Sequence, residues 1–371
     1  MEPNLNPQPP KWADGFLSWF CSEEVVETLQ GDLHELYQKR FNQSGKIKAD
    51  FYFIGDVISA CRPFAFRRRR KTKPSLFNQF TMIRHYLKIS GRNLLRNKGY
   101  AFINIGGLAA GIAVTLLISL WIYDELTFNH IHTNHQYIGK VMRDGTLNGE
   151  TYTTSYQPYA LADELRTVYG NNFEHVVMSW SVSDRILSYD DKKFLQKGTF
   201  IENGAPEMFS FHMIYGTSDG LKDPHSIMLS ASAAKTLFGD ENPVGRTLNI
   251  DNRMQALVTG VYEDFPHNSD WSETHFFAAW ELWVSVNQWM TTQGFTNNFL
   301  TIYVQIPPST DFESVSSKIS DAILNNVRDK EDYVAVHPQI FLHPMNKWHL
   351  YSDWKNGVNT GGRILFVWLF E

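Results

Sequence analysis

The chain is 371 residues long, 43% hydrophobic and 20% charged, with a net charge of −5 and a mean hydropathy of −0.31. Those averages exclude a protein that lies mostly in lipid, so most of the chain must fold in water, with length for one or two compact domains. Only two cysteines occur, Cys21 and Cys61, and their separation matches no metal-ligand spacing.

Pro3, Pro7, Pro9 and Pro10 mark the first ten residues as a disordered lead-in. Ser22 is placed to cap a helix with Glu23 and Glu24 in its first turn and Lys39 and Arg40 in its last, the arrangement the helix dipole favours. Val26, Leu29, Leu33, Leu36 and Tyr37 recur at three- and four-residue spacing and give that helix one apolar face. A second helix is predicted from Ala49 to Cys61, stopped by Pro63. Residues 1–75 therefore read as a small helical domain.

From Arg62 to Lys98 there are 12 Lys or Arg and no Asp or Glu, so this stretch carries a strong local positive field. The run Arg67 to Lys71 beside an apolar segment is read as a topology and lipid signal, not as a nucleic-acid contact. Within the stretch, Arg84, Lys88, Arg92 and Arg96 fall every four residues, with Ile83, Leu87 and Leu94 beside them and Lys98 at the end. Residues 76–100 read as a basic interfacial helix, apolar side in the lipid and cations toward phosphate.

Ala101 to Tyr123 runs 23 residues without a charge. As a helix it would be about 34 Å long, enough to cross a hydrocarbon core of about 30 Å. It begins too far into the chain and runs too long for a cleaved signal peptide, so it reads as an uncleaved anchor. Asp124 and Glu125 follow at once, and the positive-inside bias predicts residues 1–100 in the cytoplasm and residue 124 onward outside the plasma membrane. Both cysteines then lie inside, reduced, and the outer region has no disulfide. Gly107 and Gly111, with Gly106 and Ala110 in the next register, are small-xxx-small pairs that predict a packed neighbouring helix. Trp121 and Tyr123 suit an interface belt.

The outer region, 124–361, mixes two periodicities. Ser155 to Tyr169, Ser230 to Phe238 (ended by Gly239) and Asp311 to Val327 read as helices, and Ala256 to Tyr262 and Leu300 to Ile306 as strands. Interleaving of this kind predicts an α/β or α+β domain, without internal repeats. No stretch fits a phosphate-cradling loop, a zinc-protease helix, a nucleophile elbow or a CxxC pair. His130, His132 and His135 form an HxHxxH, but with no nearby carboxylate or thiol they read as packing or surface residues. No catalytic, cofactor or metal residue is predicted, no cofactor is expected, and the chain does not read as an enzyme.

Several stretches resemble one family. RNLLRNKGYAFINIGGLAAGIAVTLLISLWIYDELTFNHIHTN (Arg92 to Asn134) resembles the first membrane helix of MacB/FtsX-type permeases of ABC transporters. LSASAAKTLFGDENPVGRTL (Leu229 to Leu248) and TGVYEDFPHNSDW (Thr259 to Trp271) are similar to recognisable stretches of the MacB-like periplasmic core, and HLYSDW (His349 to Trp354) to its end. Pro10 to Arg40 is similar to the permease prefix domain. Two positions depart from the pattern: Asn129 stands where an Asp is usual, and Ile138, Gly139 and Lys140 replace a basic-aromatic strand ending.

The resemblance implies a membrane protein of mixed fold: a cytoplasmic prefix, one transmembrane helix, an α/β core domain over 124–361, and the start of a second, incomplete membrane helix at 362–371. It implies a permease subunit whose separate ATPase drives the outer domain, for efflux or mechanotransmission. The partners implied are that ATPase, membrane lipid, further permease helices or a second copy, and a periplasmic adaptor, with no nucleic acid. A single-span receptor and an FtsX-like regulator of a cell-wall hydrolase stand as alternatives.

Overall fold

The computed structural model describes residues 8–20, 23–60 and 76–370. The expectations for Pro3, Pro7, Cys21, Ser22, Cys61 and the basic run from Arg62 to Lys73 lie outside these. The chain divides into two compact units, residues 1–106 and 107–371.

In the first unit, α1 (Lys11–Phe20), α2 (Glu23–Ser44) and α3 (Lys46–Ala60) pack around Ala13, Leu17, Leu33, Tyr37, Ala49, Phe53 and Val57. Leu33 and Tyr37 from the predicted apolar face are buried, whereas Leu36 is exposed. The phenol of Tyr37 donates to Asp50 Oδ1 (2.6 Å), and burial and that carboxylate push its pKa up to about 12. α2 is longer than predicted. It runs to Ser44 and is ended by Gly45, whose φ of 77° a side-chain-bearing residue adopts only with strain. Lys39 and Arg40 are therefore not in its last turn: they pair with Glu35 and Asp56 instead. α4 (Leu76–Arg96) and α5 (Lys98–Leu126) follow. Among the described side chains of α4, from Met82 onward, none is buried. α5 contains the whole predicted span and is long and apolar enough to cross a membrane.

In the second unit a ten-strand path carries the core. Its strands are β1 (Ile138–Leu147), β2 (His175–Ser179), β3 (Ser183–Tyr189), β4 (Lys192–Ile201), β5 (Ser226–Ser230), β6 (Thr247–Ile250), β7 (Met254–Tyr262), β8 (Phe276–Ala279), β9 (Asn298–Gln305) and β10 (Gln339–Pro344). The spatial order is β8-β5-β7-β6-β3-β4-β2-β9-β1-β10, and β8 also pairs with β4, which closes six strands into a ring. Closure removes exposed edges. Most pairs are antiparallel, but β7 with β5 and β8 with β4 are parallel, which requires long crossover connections. The helices α6 (Ala160–Thr167), α7 (Ala231–Phe238) and α8 (Phe312–Ile319) bury Leu161, Leu165, Leu237, Val315 and Ile319 in the main core.

Three expectations are borne out closely. β7 covers the strand predicted over Ala256–Tyr262 and β9 all but Ile306 of the one predicted over Leu300–Ile306, and α7 is capped by Ser230, whose Oγ accepts from Ala233 N, and closed by Gly239 with φ 72°. Two predicted helices are too long. The one expected from Ser155 begins only at Ala160, because Gln157 and Pro158 pair with β9. The one expected over Asp311 to Val327 breaks after Ile319, where the carbonyl of Ser320 accepts from Ile340 N in β10. Tertiary pairing takes the place of helical bonds at both.

Ring closure depends on Gly198, where a Cβ would lie 2.2 Å from the buried ring of Phe276 across the β4–β8 pair. Gly198→Val should lower the unfolding free energy of the full chain by about 2–3 kcal/mol through overpacking. Gly170→Ala, whose Cβ meets open space, should stay within about 0.5 kcal/mol. Denaturant unfolding checks both.

The membrane-helix junction as candidate functional site

α5 does not end freely: its last turn, which lies within the second unit, is held there by charge. Glu125 is only 4% exposed, although it follows the 23-residue uncharged run. Its Oε1 accepts from Arg363 Nη1 (2.9 Å), and its Oε2 lies 2.7 Å from His349 Nε2. A carboxylate acceptor requires the proton on Nε2. Nε2 then cannot also accept from Arg363, so the 3.1 Å approach of Arg363 Nη1 to it is crowding around a shared carboxylate. The ring of Phe128 stacks on His349 with centroids 3.6 Å apart and planes at 5°. Arg363 immediately precedes α9 (Ile364–Phe370), and Ile364 and Val367 pack with Leu350, Trp121 and Ile122. Trp121 meets Phe370 edge-on at 5.7 Å. Two apolar helices thus meet at one buried carboxylate, one entering the domain and one following it in sequence.

The turn after α5 is fixed by a second set of bonds. Asn129 is fully buried with φ 65°, a left-handed conformation that asparagine tolerates better than most residues. Its Nδ2 donates to Asp270 Oδ2 (2.7 Å) and its Oδ1 accepts from Asp270 N (2.9 Å). An aspartate here could not donate to Asp270 and would set two carboxylates together, so the departure from the family pattern is matched to its partner. His132 is fully buried too. Its Nδ1 donates to the carbonyl of Phe209 (2.6 Å) and its Nε2 accepts from Ser269 Oγ (3.2 Å). Burial holds its pKa down to about 4. His130 and His135 stack at 4.4 Å, and no group of three metal-ligating side chains occurs among the described residues.

The two recognisable stretches of the core resolve into mutual caps. Ser232 Oγ and Ser232 N both donate to the carboxylate of Asp264, and Tyr262 Oη donates to the carbonyl of Thr274. Trp271 packs on Phe209, Phe277 and Tyr303. Lys140 sits with Nζ 4.5 Å from the Trp348 centroid, and burial lowers its pKa. These residues build structure and present no nucleophile with a base.

Residues 101–322 match the family model of the MacB-like periplasmic core domain. The chain belongs to this family. The family is a transporter permease component that normally works with a separate ATPase subunit, which makes this a membrane protein with an extracytoplasmic domain. Among solved structures the chain is similar to a domain of a putative permease from Porphyromonas gingivalis (19% identity, 64% of this chain, 98% of that one, TM-score 0.47). It is also similar to the periplasmic region of MacB from Actinobacillus actinomycetemcomitans (18% identity, 56% and 89%, TM-score 0.40). A further similarity is to the extracellular domain of the noncanonical ABC-type transporter YknZ from Gram-positive bacteria (15% identity, 55% and 99%, TM-score 0.41). No curated protein matches the chain.

Of the residues singled out in the sequence, Gly106, Gly107 and Gly111 have nothing within 4 Å of an added Cβ, and Ala110 is exposed beside them. Arg84, Lys88, Arg92, Arg96 and Lys98 are all exposed. Sequence reasoning missed the clamp. Glu125 counted there only as a charge marking topology, and the visible signal was an acid directly abutting a span.

Arg363→Ala and His349→Ala should each lower stability by about 1–3 kcal/mol, since each strips a donor from a buried carboxylate. The double variant should depart from additivity by about 0.5 kcal/mol or more, because both bind one group. Denaturant melts of the full chain in detergent check this. Acid should also weaken the fold. Unfolded histidine takes up a proton near pH 6.5, but His132 and His343 do so only near 4, so the unfolded chain binds more protons between those values and stability falls as pH is lowered through that window. His132→Asn should flatten the fall, read as melting temperature against pH.

Proposed function

We propose that this chain is the permease subunit, or part of one, of an ABC transporter in which a separate ATPase moves the membrane helices and the helices move the extracytoplasmic domain. The observation that carries this reading is the clamp at Glu125. A rigid helix locked by a buried ion pair to the domain it enters passes its displacement on, whereas a flexible linker would absorb it. No stretch of this sequence fits a phosphate-binding loop, which supports a reading with a separate ATPase subunit. The moving domain would serve efflux of a substrate held outside the membrane, or would pass a mechanical signal to another protein.

In this reading residues 1–75 are the cytoplasmic prefix domain, α4 lies in the headgroup layer of the inner leaflet, and 101–123 span. Residues 124–361 are outside, and 362–371 begin a second span. Gly106, Gly107, Ala110 and Gly111 then face further permease helices or a second copy, close enough for backbone packing. A periplasmic adaptor would meet the outer domain. The 12 basic residues before the span and the acidic pair after it support this orientation.

A cysteine placed at Asn148 should react with an impermeant maleimide in intact spheroplasts, while Cys21 stays unlabelled until lysis. Labelling of Cys21 alone would reverse the topology. With the partner ATPase co-purified, Glu125→Gln should leave ATP hydrolysis within about twofold yet introduce a nucleotide-dependent distance change between a spin label at Asn148 and one on α5, a distance that the intact clamp holds constant. A distance that stays constant in Glu125→Gln would remove the clamp from the coupling path.

A further inference from the structure

Two helices of the first unit are apolar on two sides. α1 and α3 bury Ala13, Leu17, Ala49, Phe53 and Val57 in the small core, yet each carries a second stripe that the unit leaves bare. On α1 the stripe is Trp12, Phe16 and Trp19, all exposed and Trp19 to 80%, with the rings of Phe16 and Trp19 6.0 Å apart. On α3 it is Ile47, Phe51 and Ile58, each 65% exposed or more. Spacings of three, four and seven residues put each set on one helix face.

The charges fix which way those stripes point. Every acid on the two helices is half-buried and engaged with α2: Asp14 accepts from His34 Nε2 (2.8 Å), Asp50 accepts from the Tyr37 phenol, and Asp56 pairs with Arg40. With about 100° between successive residues, each stripe lies roughly 140–180° around its helix from Asp14 or Asp56, so both stripes face away from α2. The exposed charges on α1 and α3 are all cations. Lys11 adjoins Trp12, and Lys46 and Lys48 stand on either side of Ile47, whereas the outer face of α2 exposes Glu27, Asp32 and Glu35. The unit therefore has one apolar, cationic side and one acidic side.

Single exposed apolar residues are ordinary, but rows of them rimmed by charge mark an interaction surface. Tryptophan and phenylalanine beside lysine suit the boundary between lipid headgroups and acyl chains, where aromatic rings are favoured and ammonium groups meet phosphate. An anionic lipid surface attracts this side and repels the side of α2. Such a surface is also within reach. Residues 61–75 separate α3 from α4, at most about 50 Å of chain, and α5 follows with length and hydropathy enough to cross a membrane. A tether of that reach keeps the bilayer at high effective concentration, so even weak insertion holds the unit down. We infer that the first unit docks on the membrane surface through the outer faces of α1 and α3, with the Trp12 and Ile47 stripes entering the headgroup layer, Lys11, Lys46 and Lys48 at lipid phosphate, and the acidic side of α2 in water. The inference needs α5 to cross a membrane, but neither a transport role nor one direction of crossing.

The test uses the full chain in nanodiscs of phosphatidylcholine and phosphatidylglycerol, with Cys21 and Cys61 replaced by Ser and one nitroxide at a time. Labels at Trp19→Cys and Phe51→Cys sit in the two stripes, and one at Glu27→Cys sits on the outer face of α2. Power saturation compares collisions with oxygen, which concentrates in lipid, and with a water-soluble nickel chelate. The oxygen-to-nickel ratio at both stripe labels should exceed that at Glu27→Cys by about fivefold or more. Lys46→Glu combined with Lys48→Glu, both at exposed positions, should lower the ratio at Phe51→Cys by about twofold or more without moving the melting temperature. A ratio at either stripe equal to that at Glu27→Cys places the stripe in water and overturns the inference. Shielding of either stripe from both reagents overturns it too, because protein then covers the stripe, from a second copy or from elsewhere in the chain. A ratio that the lysine double variant leaves unchanged likewise contradicts docking at lipid phosphate.

Discussion

A carboxylate buried at the mouth of a membrane helix is the constraint on which the rest of this structure depends. Removing an ionised carboxylate from water costs several kcal/mol unless charged and hydrogen-bonding partners meet it. Glu125 therefore requires both Arg363 and His349, and those residues come from the far end of the domain, more than 220 positions along the chain. The whole sheet between them must be folded for the clamp to form. The same requirement works in the other direction, because the clamp fixes α5 relative to the domain through its last turn.

The bonds around Asn129 and His132 extend that fixation. Asp270 and Ser269 belong to the segment after β7, and Phe209 belongs to the second core cluster, with Trp271, Phe277 and Trp348. A movement of α5 therefore meets a buried, fully hydrogen-bonded turn before it meets the sheet. Buried polar networks of this kind rigidify when every member is satisfied. His132 contributes as a neutral ring, which makes the junction tolerant of neutral pH and sensitive to acid.

Much of this fold was legible in the sequence, and the parts that were not have a common cause. Local signals served where local physics decides: Ser230 and Gly239 bracket α7, β-branched runs mark β7 and β9, and 23 uncharged residues mark the heart of α5. Local signals failed where a distant strand competes for the backbone, as at Gln157 with β9 and at Ser320 with Ile340. Ring closure through Gly198 and Phe276 leaves no periodic trace at all. The clamp was half visible. Glu125 and the HLYSDW stretch were both noticed, but nothing in one sequence says that positions 125, 349 and 363 meet.

The central claim is that Glu125 transmits helix position to the domain by holding α5 and α9 together. Trp121 and Phe370 lie in contact across that pair, so cysteines at these positions, with Cys21 and Cys61 replaced by Ser, can be bridged by a short crosslinker. In the complex with its ATPase, the bridge should restore to Glu125→Gln the nucleotide-dependent movement of the outer domain that the substitution removes. Movement that survives Glu125→Gln without the bridge, or stays absent with it, would contradict the account.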